Sequence, residues 1–200
     1  MGKISRFIVL VVFLLAVFPC GAQPDAAPHI FRPTANALVE PGPLSVVARG
    51  SASASLLLDG ATLAVTRPGP LALTTTITPA AGRHELVLRD GDAEERTTFF
   101  VGASSTADES EWKPFRSHPP PATGATCSAC HEVRDAKWEF AGGNIASNCF
   151  QCHSPDEFSK AHTHERGVLA ACNMCHFAHG SSESKHLKMA VKAACTQCHF

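Results

Sequence analysis

The chain has 200 residues, of which 44% are hydrophobic and 18% charged, with a formal net charge of -1 at pH 7. These values suit one or two globular domains and give no long-range pull toward nucleic acid. Lys and Arg are scattered as single residues through the chain after its first segment, so no nucleic-acid partner is expected.

The first segment, MGKISRFIVLVVFLLAVFPCGAQPD, places Lys3 and Arg6 ahead of an apolar run from Phe7 to Phe18, with small residues before Gln23. That is the pattern of a secretory signal peptide over 1–22, and the run falls short of the about 20 apolar residues that span a membrane. Cleavage is expected after Ala22. The alternative is lipidation of Cys20, but Phe18 and Pro19 stand where lipoprotein signals carry a small residue. The mature chain is thus expected to be exported, either periplasmic or extracellular at the cell surface.

Residues 23–102 contain no cysteine and read as short strands broken by turn residues. The expected strands are His29–Thr34, Leu44–Arg49, Ser55–Leu58, Leu63–Thr66, Leu71–Ile77, His84–Arg89 and Glu95–Val101. Asp59-Gly60 and Asp90-Gly91-Asp92 are hairpin signals, because Gly takes the positive φ that tight turns need. Seven short strands at this spacing predict an all-β, immunoglobulin-like (Ig-like) sandwich. The segment Gly69–Asp92 resembles the Ig-like modules that bacteria attach to exported proteins. Such a module can serve as a spacer or as a docking surface for an outer-membrane or surface partner. His29 and His84 lie within it and are expected to be ordinary surface residues. Residues 103–117 are expected to be a linker, with Trp112 and Phe115 packing against the domain that follows.

From 118 to 200 the composition changes. Apart from Cys20, all the cysteines lie in four Cys-x-x-Cys pairs, each followed at once by a histidine: CSACH, CFQCH, CNMCH and CTQCH. Cys-x-x-Cys-His is the attachment signal of haem c. Two thiols three residues apart fit one helical turn beneath the porphyrin edge and form thioethers with its vinyl groups, while the next histidine reaches the iron. Zinc sites do not require a histidine after every pair, and a thioredoxin-type dithiol would need a parallel α/β setting. The first cysteines fall at 127, 149, 172 and 195, spaced by 22, 23 and 23 residues, and His118 repeats at His164, 46 residues on.

Residues 118–199 resemble the doubled CXXCH-motif family of multihaem cytochromes c, within the cytochrome c3-like group, most closely from His164 to His199. The resemblance implies four covalently attached haem c groups, organising a domain of short helices with little regular secondary structure. Thioethers would form at Cys127 and Cys130, Cys149 and Cys152, Cys172 and Cys175, and Cys195 and Cys198, with proximal iron ligands His131, His153, His176 and His199. The distal ligands implied are His118, His164 and His179, with His162 crossing between halves because Arg134 stands where the first half would repeat His179. His186 is an alternate. Met174 and Met189 are weaker axial candidates, since five further histidines compete with them.

A domain of this size with few large apolar residues, among them Trp138, Phe140, Phe150, Leu169 and Leu187, is expected to use its porphyrins as core. The expected function is transfer of single electrons between redox donors and acceptors, without catalysis. A multihaem reductase with one open iron, or a self-associating subunit of an extracellular haem filament, are the alternatives.

Overall fold

The computed structural model describes residues 27–103, 108, 110–124, 126–135, 137–156, 167 and 170–199. The expected signal peptide with Cys20, and likewise His162, His164 and Leu169, lie outside the described residues.

The N-terminal part is all β. Strands β1 (His29–Arg32), β3 (Leu44–Arg49) and β6 (Ala72–Ile77) form an antiparallel sheet in the order β1-β3-β6. The second sheet contains β2 (Ala37–Val39), β4 (Ser55–Leu58), β5 (Ala61–Thr62), β7 (Gly82–Asp90), β8 (Ala93–Val101) and β9 (Lys113–Pro114), in the order β5-β4-β7-β8-β2-β9. Its pairings are antiparallel except those of β2, which runs parallel to both β8 and β9. β3 shows why these strands form: Leu44, Val46 and Ala48 point into the core while Ser45, Val47 and Arg49 point out, the two-residue alternation of a half-buried strand. The sheets meet face to face, with Val46, Leu73 and Ile77 of one against Leu56, Leu86 and Phe99 of the other. Complete burial of a side chain such as Phe99 contributes about 1.5–3 kcal/mol.

Both expected hairpins form. Asp59 and Gly60, at φ +49° and +85°, make the two-residue turn between β4 and β5, and Gly91 at φ +59° opens the turn between β7 and β8. The strand expected over Leu63–Thr66 is reduced: only Ala61–Thr62 pairs with β4, and Thr66 makes an isolated bridge to Thr74. The end of the expected linker belongs to the sandwich. Trp112 is buried with its ring 5.6 Å from that of Phe100, Lys113–Pro114 adds an edge strand beside β2, and Phe115 packs on the core. The sandwich offers these side chains a water-free apolar surface, and an edge is where a strand proline is tolerated.

His84 departs from the surface role expected of it. Its side chain is only 12% exposed, Nδ1 lies 2.7 Å from Asp59 Oδ2, Nε2 lies 2.8 Å from the Ala80 carbonyl, and its ring stacks 5.4 Å from that of Phe99. The imidazole thus ties the Asp59-Gly60 hairpin to the sheet. His29 is half exposed and pairs with Glu95 at 3.1 Å.

Beyond the sandwich, regular structure is sparse. β10 (Arg116–Ser117) pairs with β13 (Gly180–Ser181), and β11 (His131–Arg134) with β12 (Lys137–Phe140). Short helices span Ile145–Cys149 and Val191–Thr196, and single 3-10 turns span Cys127–Ala129 and Cys172–Met174. Among the described residues from 118 onward, Ala146 is the one buried hydrophobic side chain. No helix among the described residues is long and apolar enough to cross a membrane.

Candidate functional site

Each Cys-x-x-Cys-His stretch wraps into one turn. The second cysteine's N–H donates to the first cysteine's carbonyl in all four: Cys130 to Cys127 at 3.2 Å, Cys152 to Cys149 at 3.2 Å, Cys175 to Cys172 at 3.3 Å and Cys198 to Cys195 at 3.3 Å. In three of them the histidine N–H returns to the same carbonyl, His153 and His176 at 3.0 Å and His199 at 3.1 Å. Both sulfurs and the imidazole therefore leave the chain from one turn. In the first stretch His131 instead begins β11, opposite Phe140, with its ring 5.2 Å from Trp138.

The stretches are tied to one another. Asn144 caps the helix Ile145–Cys149 by accepting from the Ser147 N–H at 2.9 Å. That fixes buried Asn148, whose Nδ2 donates to the Cys130 carbonyl and whose Oδ1 accepts the Gly142 N–H at 2.7 Å. The second motif's helix is thereby clamped onto the first motif. Cys149 in turn lies against Cys172 of the third.

The histidines converge in pairs. The rings of His118 and His153 are 6.1 Å apart with planes within 15°, and those of His131 and His179 are 6.1 Å apart within 21°. Two imidazoles on opposite sides of one iron stand roughly 6.3 Å apart, given metal–nitrogen bonds of about 2 Å and half a ring on each side. Both centroid separations match that spacing. His118 Nδ1 donates to the Ala178 carbonyl at 2.9 Å, and His176 Nδ1 to the Lys185 carbonyl at 2.8 Å, bonds that orient the two imidazoles. Lys185 and His186 hold positive φ of +54° and +56°, a conformation that costs non-glycine residues about 1–3 kcal/mol each. It turns the Lys185 carbonyl to His176 and the His186 carbonyl to the Phe177 N–H.

Burial holds the imidazolium form of His179 down to about 4, with the charges of His131, Arg32 and His118 adding to the effect. Its ring is neutral at pH 7, as a metal ligand must be. Burial lowers His131 as well, and lowers His186 with help from His118. His186 stands 5.1 Å from the His118 ring, edge to face, beside the pair it was expected to substitute. Gly180, at φ +116°, follows His179 where an added Cβ would lie 2.6 Å from the Arg116 carbonyl, so the residue that fixes β13 against β10 has to be glycine. Arg134 is ion-paired to Glu132 at 2.7 Å on its own hairpin, and Met174 is 51% exposed.

None of the eight described cysteines is in a disulfide. Burial raises the Cys130 thiol, and burial with Cys172 pushes the Cys149 thiol up to about 11. An exchange-active dithiol requires the opposite shift. Among the described residues no three Cys, His, Asp or Glu side chains form a metal-ligand cluster.

The family model described as the doubled CXXCH motif matches residues 164–200. This segment carries the motif of multihaem c-type cytochromes. Its Cys-x-x-Cys-His stretches are haem c attachment motifs, and such motifs suit an electron carrier. No curated protein matches the chain. Solved structures align with well under half of it. An engineered protein matches at 18% identity over 38% of this chain and 20% of that one, with a TM-score of 0.33. The fibronectin(III)-like modules of Clostridium thermocellum CbhA match at 21% identity over 37% of this chain and 94% of theirs, with a TM-score of 0.29. Titin M4 matches at 16% identity over 40% of this chain and 98% of its own, with a TM-score of 0.28. The chain thus spans about a fifth of the first of these structures. The all-β assignment rests on the strand pairings given above.

Sequence reasoning did not single out Asn148 or the Lys185 carbonyl. An asparagine directly before a cysteine is an unremarkable residue in sequence, and a carbonyl acceptor leaves no trace in it.

Proposed function

We propose that the chain is an exported tetrahaem c-type cytochrome that passes single electrons between redox proteins through bis-histidine haems. The observation that carries this reading is the pair of near-parallel imidazole couples, His131 with His179 and His153 with His118, each at 6.1 Å. On it, His179 and His118 are the distal ligands that partner His131 and His153, and the family resemblance offers His162 and His164, with His186 as alternate, for the remaining two irons. The thioether pairs are Cys127 and Cys130, Cys149 and Cys152, Cys172 and Cys175, and Cys195 and Cys198. Haem bound this way supplies a one-electron iron couple. The protein supplies the axial nitrogens, the carbonyls that hold them by Nδ1, and a site closed to exogenous ligands.

The sandwich is read as Ig-like. Its two sheets, β1-β3-β6 against β5-β4-β7-β8, with a short strand beside β8 running parallel to it, support that reading. Catalysis is not part of the proposal, because the five histidines from 118 onward besides the four proximal ones suffice to close every iron.

Intact mass under denaturing conditions tests the haem count, with the mature chain plus four haems expected. The reduced protein should be low-spin at every iron and fail to bind carbon monoxide. Replacing His118 by Ala should open one iron in four to carbon monoxide, with a stoichiometric high-spin band. Three haems, or carbon monoxide binding by the unaltered protein, would overturn the proposal.

A further inference from the structure

The first Cys-x-x-Cys-His stretch does not stand clear of the sandwich. A cleft of about 600 Å³, within the range of about 300–1,000 Å³ usual for cofactor pockets, is lined by Cys127, His131 and Trp138 and by Pro68 of the β5–β6 connection. A smaller cleft of about 250 Å³ runs over the outer face of β3 and β6, past Val47 and Thr74, and also ends at Cys127. Cys127 lines both clefts.

The sandwich touches the groups on both sides of that haem position. On the proximal side an added Cβ on Gly69 would lie 2.8 Å from Trp138 Cζ2 and from Val133 Cγ2, so the chain passes Trp138 at a distance only glycine allows. Trp138 stands edge to face with His131, and its Nε1 is buried without a hydrogen-bond partner. On the distal side Phe31 of β1 packs its ring 5.3 Å from His179. Next to it, Arg32 is a part-buried cation. Its Nη2 donates to Ser117 Oγ at 2.7 Å, its guanidinium lies 5.8 Å from the centroid of the Phe115 ring, and its Nε is buried without a partner. Among the described residues no carboxylate forms an ion pair with it.

We propose that the haem of the first motif is held between the two domains, with Phe31, Arg32, Pro68 and Gly69 of the sandwich closing its pocket, and that Arg32 tunes its potential. This rests on the haem reading above. The step concerned is Fe(III) plus one electron to Fe(II), with no bond made or broken and no proton moved. The electron comes from another haem of the chain or, in a titration, from dithionite. A part-buried positive charge near the iron, with no carboxylate paired to it among the described residues, favours the state with one more electron. The first haem is thereby easier to reduce than it would be without Arg32, and the sandwich is part of an electron-transfer site rather than a spacer. Arg32 acts through the field at His179 and is a positioning and tuning residue. The orphan indole N–H of Trp138 adds a donor suited to one of the two propionate carboxylates of a haem.

The test uses the full holo-protein. Intact mass establishes the haem count first, and potentials are then read haem by haem in a spectroelectrochemical titration assigned by paramagnetic NMR. Arg32→Met should keep every haem and make one of them, the first, about tenfold harder to reduce, ~59 mV for one electron. Arg32→Lys should restore most of that shift. Gly69→Ala, which presses on Trp138 and Val133, should change the electron paramagnetic resonance g-values of the same haem and of no other. Full haem loading with unchanged potentials in Arg32→Met, or equal shifts in Arg32→Met and Arg32→Lys, overturns the proposal and leaves the haem reading intact. A wild-type chain whose Cys127 and Cys130 carry no haem overturns the haem reading itself.

Discussion

In the sandwich, Leu86, Leu88 and Phe99 are closed off from water, and β7 and β8 pair along nine residues each, whereas from His118 onward the described residues bury one apolar side chain, Ala146. The first region is held by its own side chains and ladders. The second is held by turns, by Asn148 bridging two motifs, and by imidazoles that face one another in pairs. A region of that size without an apolar core does not offset the conformational entropy of ordering its chain, so what it covalently carries has to. On the haem proposal, one polypeptide joins a part expected to fold before any cofactor to a part whose fold is expected to follow from it.

The largest test of that contrast is to make the full chain without haem. Amides of β3, β6, β7 and β8 should remain protected from hydrogen exchange, while those from 127 to 199 should exchange as in an unfolded chain. Protection persisting in the helix Ile145–Cys149 would break the comparison.

The sandwich side is probed by Phe99→Ala. The ring is fully buried between the sheets and stacked on His84, so its loss should cost about 3–5 kcal/mol in denaturant unfolding. The haem absorbance of the remaining folded protein should stay as it was. A cost below about 1 kcal/mol would mean that the two sheets can close over the gap.

An intermediate effect separates the ladders from the loops between them. Asp90 accepts from the Ser51 N–H at 2.6 Å and from the Ser51 hydroxyl, joining the β7–β8 hairpin to the turn after β3. These bonds, the hydroxyl first, hold its carboxyl below the usual range. A carboxylate depressed in the folded state stabilises above the unfolded pKa, and the contribution is lost as pH falls through the folded value. Asp90→Ala should therefore cost about 0.5–1.5 kcal/mol at pH 7 and progressively less in acid. A cost that does not change with pH would assign the effect to packing.

The strands were legible where alternation and turn chemistry coincided. β3 reads LSVVAR with a clean two-residue period, and Asp59-Gly60 marks its hairpin without help from the rest of the fold. β2 and β9 were not legible, because Ala37–Val39 and Lys113–Pro114 are too short for a period and become strands only through parallel pairing with chain far away in sequence. The same division holds at the site. Attachment is written locally in each Cys-x-x-Cys-His, whereas the pairing of His179 with His131 spans 48 positions of chain and is set by the contact of β13 with β10. The approach of Gly69 to Trp138 is equally invisible, since nothing in a turn glycine names the ring that passes it.

The smallest effect lies where the two regions meet. Lys113, on the edge strand of the sandwich, forms an ion pair with Glu183, whose N–H donates to Ser181 Oγ at 2.9 Å, and Ser181 sits in the β10–β13 pair. Half of the lysine side chain is exposed, at 51%, so water and salt screen the attraction. A double-mutant cycle of Lys113→Ala and Glu183→Ala should give a coupling of about 0.2–1 kcal/mol that fades between low and high salt. The two regions also meet through part-buried contacts at Phe31, Arg32 and Gly69, so breaking this pair should leave the haem potentials in place. A larger coupling, or a salt-dependent loss of the first haem's distinct potential in Lys113→Ala, would show instead that surface charge holds the sandwich against the haems.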